Sequence, residues 1–308
     1  MAGDKLRIIC GPTAAGKSAI ALELADEYDA AIVSADSRQI YCYFDIGTAK
    51  PTRAECAQVT HYGVDVAEPT ERFSAARWAT EADEWIESAG EIGKTPVVVG
   101  GTGLYIKALV EPLFDAPPMD LLQRTWLEQE LETKSLAELR TWCQRLDPAR
   151  AHLGRAQLTR AVETVLLSGV RISELHAEHR LSPPSRAGSP AKYLVVDPGA
   201  PPLASRIEMR VEAMLKAGWP DEVRDLIERV PADAPAWKAS GYLAMRDYVE
   251  DRCDLSTVRE RVILETRQYA KRQRTWFRHQ LPHAAVTLVN PLDSRARVAV
   301  REWWEKAD

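Results

Sequence analysis

The stretch GPTAAGKS (residues 11–18) directly follows the apolar run Leu6-Arg-Ile-Ile-Cys10 and directly precedes a helical pattern over residues 19–28. It has the form Gly, four residues, Gly-Lys, then Ser or Thr, between a strand and a helix, which is the phosphate-cradling P-loop. Gly11 and Gly16 permit a turn that aims consecutive N–H groups, those of Thr13, Ala14 and Ala15 among them, at phosphate oxygens. The helix behind adds the positive end of its dipole. Lys17 is placed to neutralise the terminal phosphate, and the Ser18 hydroxyl to hold a Mg²⁺. A glycine-rich strand-to-helix turn without a ligand is the bland alternative, and the flanking strand and helix weigh against it.

Outward from this turn, β-branched runs recur at residues 31–34, 96–99, 193–196 and 286–289. The first three runs, counting residues 6–10, are separated by helical stretches, the rhythm of a parallel sheet covered on both faces. Residues 121–181 then lose strand character, with leucines, alanines and charges at helical spacing. Two breaker clusters, DAPP (115–118) and SPPSRAGSP (182–190), bracket that block. The expected fold class is α/β: a parallel sheet like that of the P-loop nucleoside-triphosphate hydrolases, with an all-helical insertion. Residues 1–118 and 191–308 would form the catalytic core and residues 119–190 the insertion.

Composition narrows the class. Of 308 residues, 45% are hydrophobic and 28% charged, as in a soluble protein with a full core. No apolar run approaches the roughly 20 residues that span a bilayer, so no membrane partner is expected. The chain enters its first strand within a few residues, and no signal or transit peptide is expected. Cysteines 10, 42, 56, 143 and 253 form no C-x-x-C pair. That pattern points to reduced thiols and a cytoplasmic location. The net charge of −5 argues weakly against a nucleic-acid partner, but a whole-chain sum hides local patches.

Further polar clusters lie near predicted strand ends, where open parallel sheets bind ligands. The second strand runs into SADSRQIY (34–41). There Asp36 can accept a proton, hold Mg²⁺ or cap a helix. The third runs into GGTGLY (100–105), whose Thr102 can donate a hydrogen bond to the same phosphates. Arg206 and Arg210, one helical turn apart, can clamp a pyrophosphate or form surface bridges with Glu208 and Glu212. Near the C-terminus, TRQYAKRQRTWFR (266–278) carries five basic residues and no acidic one. On a helix Arg267, Lys271, Arg274 and Arg278 make one stripe, suited to a phosphate backbone or simply solvated. Val262, Tyr269 and Trp276 make a second stripe, read as core.

Together GPTAAGKS, SADSRQIY, DIGTAKP (45–51), VVVGGTGLYIKAL (97–109) and TRQYAKRQRTWFR resemble, in this order, the tRNA dimethylallyltransferases of bacterial type. The resemblance covers nearly the whole chain. It implies transfer of a dimethylallyl group from dimethylallyl diphosphate to N6 of adenosine 37 in tRNA, with Mg²⁺ and no ATP hydrolysis. Asp36 would then be the general base, with Thr102 and Arg206 also catalytic. Gly11, Thr13, Ala14, Ala15, Gly16, Lys17, Ser18 and Arg210 would hold the diphosphate. Contacts to tRNA would come from Asp36, Ser37, Arg38 and Gln39, and from Gln157, Leu158, Thr159 and Arg160 in the insertion. Others would come from Lys238, Gly241 and Tyr242, and from Lys271, Arg272, Gln273, Arg274, Thr275, Trp276, Phe277 and Arg278. A monomer without an obligate protein partner is expected. Two stretches depart from the family pattern: Cys42-Tyr43-Phe44 before DIGTAKP, and Gly154-Arg155-Ala156 in the insertion. The competing readings are a small-molecule or nucleoside kinase, prenyl transfer to a free adenine nucleotide, and a non-catalytic RNA-binding module.

Overall fold

A computed structural model describes residues 5–111, 119–181 and 190–306. The breaker DAPP and residues 182–189 of the second breaker lie outside the described residues. Strands β1 (Leu6–Cys10), β2 (Ala30–Ser34), β3 (His61–Tyr62), β4 (Thr95–Gly100), β5 (Ala191–Val196) and β6 (Val286–Val289) form one sheet. Its order is β3-β2-β4-β1-β5-β6, and every neighbouring pair is parallel. The five longer strands stand where the β-branched runs do. β3 was not anticipated, because two residues carry no readable alternation.

All five residues of β2 are buried, as are Ile8, Ile9 and Cys10 at the end of β1. This is the continuous apolar character of strands covered on both faces. Helix α1 (Lys17–Glu27) leads from β1 towards the β3 edge, and α3 (Ala75–Glu91) leads back from β3 to β4. Right-handed crossovers in opposite directions put these two helices on opposite faces. Trp78 of α3 is fully buried and donates its indole N–H to the Ser34 carbonyl at 3.1 Å, which fixes that helix over the end of β2.

Three more helices matter for the site: α4 (Gly103–Val110), α9 (Ala200–Lys216) and the 26-residue α12 (Leu255–Gln280). Between α9 and α12 lie α10 (Trp219–Arg229) and α11 (Tyr242–Val249). A short α2 (Arg53–Gln58) precedes β3, and α13 (Ala296–Glu305) closes the chain. Among the described residues no helix is long and apolar enough to cross a membrane.

The chain divides into two compact units, residues 1–110 with 188–308, and residues 111–187. The smaller unit holds α5 (Leu121–Glu132), α6 (Leu136–Leu146), α7 (Arg155–Ser168) and α8 (Ile172–Leu181). Leu127, Leu131, Leu139, Cys143, Leu158, Ala161, Val162 and Ile172 form its own core. Ser135 and Glu138 bond reciprocally to each other's backbone N–H, which starts α6.

Where β4 ends, a Cβ on Gly100 would lie 2.1 Å from the Ala35 carbonyl oxygen. That neighbour is backbone and cannot rotate away. Gly100→Ala is therefore expected to destabilise the protein by about 1–3 kcal/mol, read as a lowered urea midpoint with an unchanged slope. An unchanged midpoint would contradict this packing.

Candidate active site

The P-loop forms because its glycines occupy conformations that side chains resist. Gly11 has φ 142° and Gly16 φ 103°, and a Cβ on Gly11 would lie 2.2 Å from the Val196 carbonyl oxygen. Ala14, with φ 61°, takes the left-handed region without being glycine, a local strain in the loop between β1 and α1. Helix α1 begins at Lys17, so the free N–H groups of its first turn face the loop. Lys17 Nζ donates to the Pro12 carbonyl at 2.8 Å. Burial lowers the Lys17 pKa to about 8; Asp36 counters the fall and Arg210 adds to it. A phosphate arriving here would meet a cation short of counter-charge.

Two arginines of α9 share a cavity with the same loop. Arg206 Nε donates to the Ala14 carbonyl at 2.9 Å, and Arg210 Nη2 to the Thr48 carbonyl at 3.3 Å. Their acidic helix neighbours Glu208 and Glu212 pair with Arg267 and Arg259 of α12. The surface-bridge reading of these arginines therefore gives way to one in which both face the loop. Burial lowers the Arg210 pKa, and Asp36 opposes that shift. A cavity of about 450 Å³ is lined by Ala14, Gly16, Lys17, Ser18, Arg206 and Arg210. A second, of about 310 Å³, is lined among others by Lys17, Ser18, Asp36, Gly101 and Arg210.

Asp36 stands just beyond β2, and its Oδ1 accepts the Arg38 N–H at 2.9 Å. Turns, not a helix, follow it, so the helix-cap reading is overturned. Thr102 binds this loop to the turn after β4: its N–H donates to the Ala35 carbonyl at 3.1 Å and its Oγ1 accepts the Ser37 N–H at 3.0 Å. Tyr269 of α12 is half-buried and lines a small cavity with Asp36 and Arg38, which corrects its assignment to a plain core stripe. Its phenol is pushed up to about 12, by burial first and by Asp36 next, so it stays a neutral donor.

The DIGTAKP segment is held by groups that sequence reasoning did not single out or placed elsewhere. Glu222 of α10 accepts the Ile46 N–H at 2.7 Å, the Asp45 N–H at 3.1 Å and the Tyr242 hydroxyl at 2.6 Å. The Gly47 N–H donates to the same Tyr242 oxygen at 3.1 Å. Burial pushes the Glu222 carboxyl up and the Tyr242 phenol well up. Lys50 is buried at its charged end and bonds the Tyr41 carbonyl and the carboxylates of Asp45 and Asp65. In the atypical Cys42-Tyr43-Phe44 stretch, Phe44 is fully buried with its ring 4.8 Å from that of Tyr242.

The expected tRNA-contacting residues divide by environment. Lys238, Lys271, Arg272, Thr275 and Arg278 are exposed, and Ser37 and Arg38 are half-buried beside Asp36. Arg274 is paired with Asp197 at 2.8 Å and Arg267 with Glu208, so the predicted basic stripe is half neutralised from within the protein. The Leu158, Tyr242, Gln273 and Phe277 side chains are buried, which corrects their expected role as RNA-facing groups. Gly241 is buried too, with Trp219 where its Cβ would stand. Gln39 spends its side chain on Ser34 and on the carbonyls of Thr48 and Ala49. Trp276 is half-buried, its ring filling the place of a Cβ on Gly103. In the smaller unit Gln157 is exposed and Thr159 half-buried, and Arg160 pairs with the buried Glu163 at 2.9 Å. A helical register does not say which side of a helix meets the rest of the protein, and that is why these expectations split.

Among the described residues no group of three or more His, Cys, Asp or Glu could cage a metal ion. Ser18 and Asp36 do line one cavity, and both offer the hard oxygen donors that Mg²⁺ prefers. They fit an ion that arrives with phosphate oxygens and keeps several of its own waters.

The family model described as IPP transferase matches residues 39–280, and that described as isopentenyl transferase matches residues 4–65. The tRNA dimethylallyltransferase of Gloeobacter violaceus is 41% identical over 281 residues, covering 89% of each chain. That of Halorhodospira halophila is 40% identical over 293 residues, covering 93% of this chain and 94% of its own. Among solved structures, the tRNA isopentenylpyrophosphate transferase of Bacillus halodurans aligns with a TM-score of 0.66 at 30% identity, over 98% of this chain and 99% of that one. A eukaryotic dimethylallyltransferase acting on tRNA shares the fold, with a TM-score of 0.75 at 24% identity, over 93% of this chain and 74% of that one. The chain belongs to the IPP transferase family, whose members include the tRNA dimethylallyltransferases.

Proposed function

We propose that this protein is a tRNA dimethylallyltransferase that moves the dimethylallyl group of dimethylallyl diphosphate to N6 of adenosine 37. The observation that carries the reading is one cavity lined at once by Lys17, Ser18 and Arg210 and by Asp36. The first three suit a departing diphosphate, and the carboxylate suits an attacking amine. The C1–O bond of the substrate breaks, and its electron pair leaves with pyrophosphate. The adenine N6–C1 bond forms, and the N6 proton passes to the Asp36 carboxylate. Lys17, Arg206, Arg210 and the N–H groups at the start of α1 stabilise charge that builds on the leaving group. The Thr13 and Ala15 N–H groups, expected to face phosphate, are held instead by Gln273 Oε1 and the Pro12 carbonyl. Bound Mg²⁺ would add Lewis-acid stabilisation of the same oxygens, held on the protein side by Ser18.

The adenine must leave its stack to reach a carboxylate set among strand ends, so base flipping from the anticodon loop is expected. The exposed Lys271, Arg272 and Arg278 on α12 offer contacts to the RNA phosphates. The smaller helical unit, through Gln157, Thr159 and Arg160, is assigned the anticodon stem-loop, and the enzyme is taken as a cytoplasmic monomer. The kinase alternative falls with the family assignment. Comparing AMP with an anticodon stem-loop as acceptor decides between the two prenyl-transfer readings: turnover with AMP alone would favour the free nucleotide.

Asp36→Ala should lower kcat by about 10²–10⁴-fold while pyrophosphate affinity stays within a few-fold; equal losses in both would make Asp36 a metal ligand. A Lys271→Ala, Arg272→Ala, Arg278→Ala triple variant should weaken stem-loop binding. It should also flatten the log–log salt slope by about 2, and an unchanged slope would return these residues to a solvated face. Lys17 supplies a pH dependence whose sign follows from its lowered pKa of about 8. Below that pH the ammonium is already charged. Above it, binding an anion must first take up a proton, so affinity falls by up to about tenfold per pH unit. The ratio of wild-type to Lys17→Arg pyrophosphate affinity, measured by calorimetry from pH 7 to 9.5, should drop through about pH 8. A flat ratio would contradict it.

A further inference from the structure

Gln273 sits on α12 directly after the exposed Arg272, yet its side chain is only 6% exposed. Its Oε1 accepts the Thr13 N–H of the P-loop at 2.8 Å. Its Nε2 donates to the Gly101 carbonyl, in the turn after β4, at 2.9 Å. A side-chain amide has one accepting and one donating end, and both are committed here to backbone of the two glycine-rich turns. A Cβ on Gly101 would lie 2.3 Å from Gln273 Nε2, so glycine at that position is what admits the amide. The next residue, Arg274, holds Asp197, just beyond β5, at 2.8 Å. One turn of α12 thereby grips the ends of β1, β4 and β5.

We propose that Gln273 is a positioning residue for the diphosphate half of the site, fixing the P-loop and the Gly100–Gly101 turn in one register, and not an RNA contact. The inference rests on the P-loop holding a diphosphate. Leucine at 273 keeps the volume and removes both bonds, leaving a half-buried N–H and a buried carbonyl unpaired. Glutamate keeps the acceptor for Thr13, but its ionised form turns a second oxygen on the Gly101 carbonyl. Protonated, the acid can donate there and accept from Thr13 as the amide does. Burial favours that protonated form. Gln273→Glu should therefore recover towards acid pH in a way that Gln273→Leu cannot.

The test measures inorganic pyrophosphate binding with Mg²⁺ by calorimetry, and anticodon stem-loop binding, for wild type, Gln273→Leu, Gln273→Glu and Gly101→Ala from pH 6 to 8.5. Gln273→Leu should lose about tenfold or more in pyrophosphate affinity and hold stem-loop affinity within about twofold, as a buried group would. Gln273→Glu should approach wild type as pH falls. Gly101→Ala should match Gln273→Leu, and combining the two should cost little more than either alone. Unchanged pyrophosphate affinity in Gln273→Leu with weakened stem-loop binding would overturn the proposal in favour of an RNA contact. Loss of both affinities with a lowered melting temperature, and no acid recovery in Gln273→Glu, would make the residue ordinary core and also overturn it. No pyrophosphate binding by the wild type would instead sink the diphosphate reading, a failure visible before any variant is compared.

Discussion

At the carboxyl edge of the sheet, chain segments approach each other at distances that leave no room for a β-carbon. The spaces a Cβ would need at Gly11, Gly100, Gly101 and Gly103 are filled by the Val196 carbonyl, the Ala35 carbonyl, the Gln273 amide and the Trp276 ring. Such contacts admit only one spacing between the loops, since interiors this dense do not deform continuously. The P-loop, the Asp36 loop and the turn after β4 are thereby held at fixed separation before any substrate arrives. Thr102, in the turn after β4, bonds the backbone of Ala35 and Ser37 on either side of Asp36 and adds a directional tie to the steric one.

Within this frame, charge is distributed unequally. Lys17 and Arg210 line one cavity together with Asp36, and Arg206 joins them on the P-loop side in the neighbouring one. Burial disfavours the charged forms of Lys17 and Arg210, and an anionic ligand supplies the counter-charge that offsets this. Helix α12 divides its basic residues between two tasks. Arg267 and Arg274 pair with Glu208 and Asp197 and fasten the helix to the core. Lys271, Arg272 and Arg278 stay at the surface, where a phosphate backbone can meet them. The segment 45–50 is fastened as firmly, by Glu222 and Tyr242 far away in sequence and locally by its own Lys50.

Much of the architecture was legible because its signals are local. A five-residue apolar run, a glycine turn and a helix start stand next to each other in the chain, so β1, the P-loop and α1 could be read without tertiary knowledge. The same holds for the helical character of residues 121–181. Gln273 and Glu222 were not legible as site-builders, because a buried polar side chain declares itself only through partners 172 to 260 and 176 to 177 residues away. Motif position assigned Leu158, Tyr242 and Phe277 to tRNA contact, but the side chain of each is buried within its own unit. Asp36 as a cap failed for a similar reason: Asp and Ser suit turns as well as helix starts, and turns follow it here.

In the proposed function, a diphosphate pocket and a proton-accepting carboxylate on one cavity serve prenyl transfer to a tRNA adenine. The most direct measurement incubates the protein and Mg²⁺ with radiolabelled dimethylallyl diphosphate and an unmodified anticodon stem-loop carrying A36-A37-A38. Label should enter the RNA and vanish when A37 is replaced by G. Absence of label with folded protein and a working control enzyme, or label that persists with G at position 37, would contradict the account.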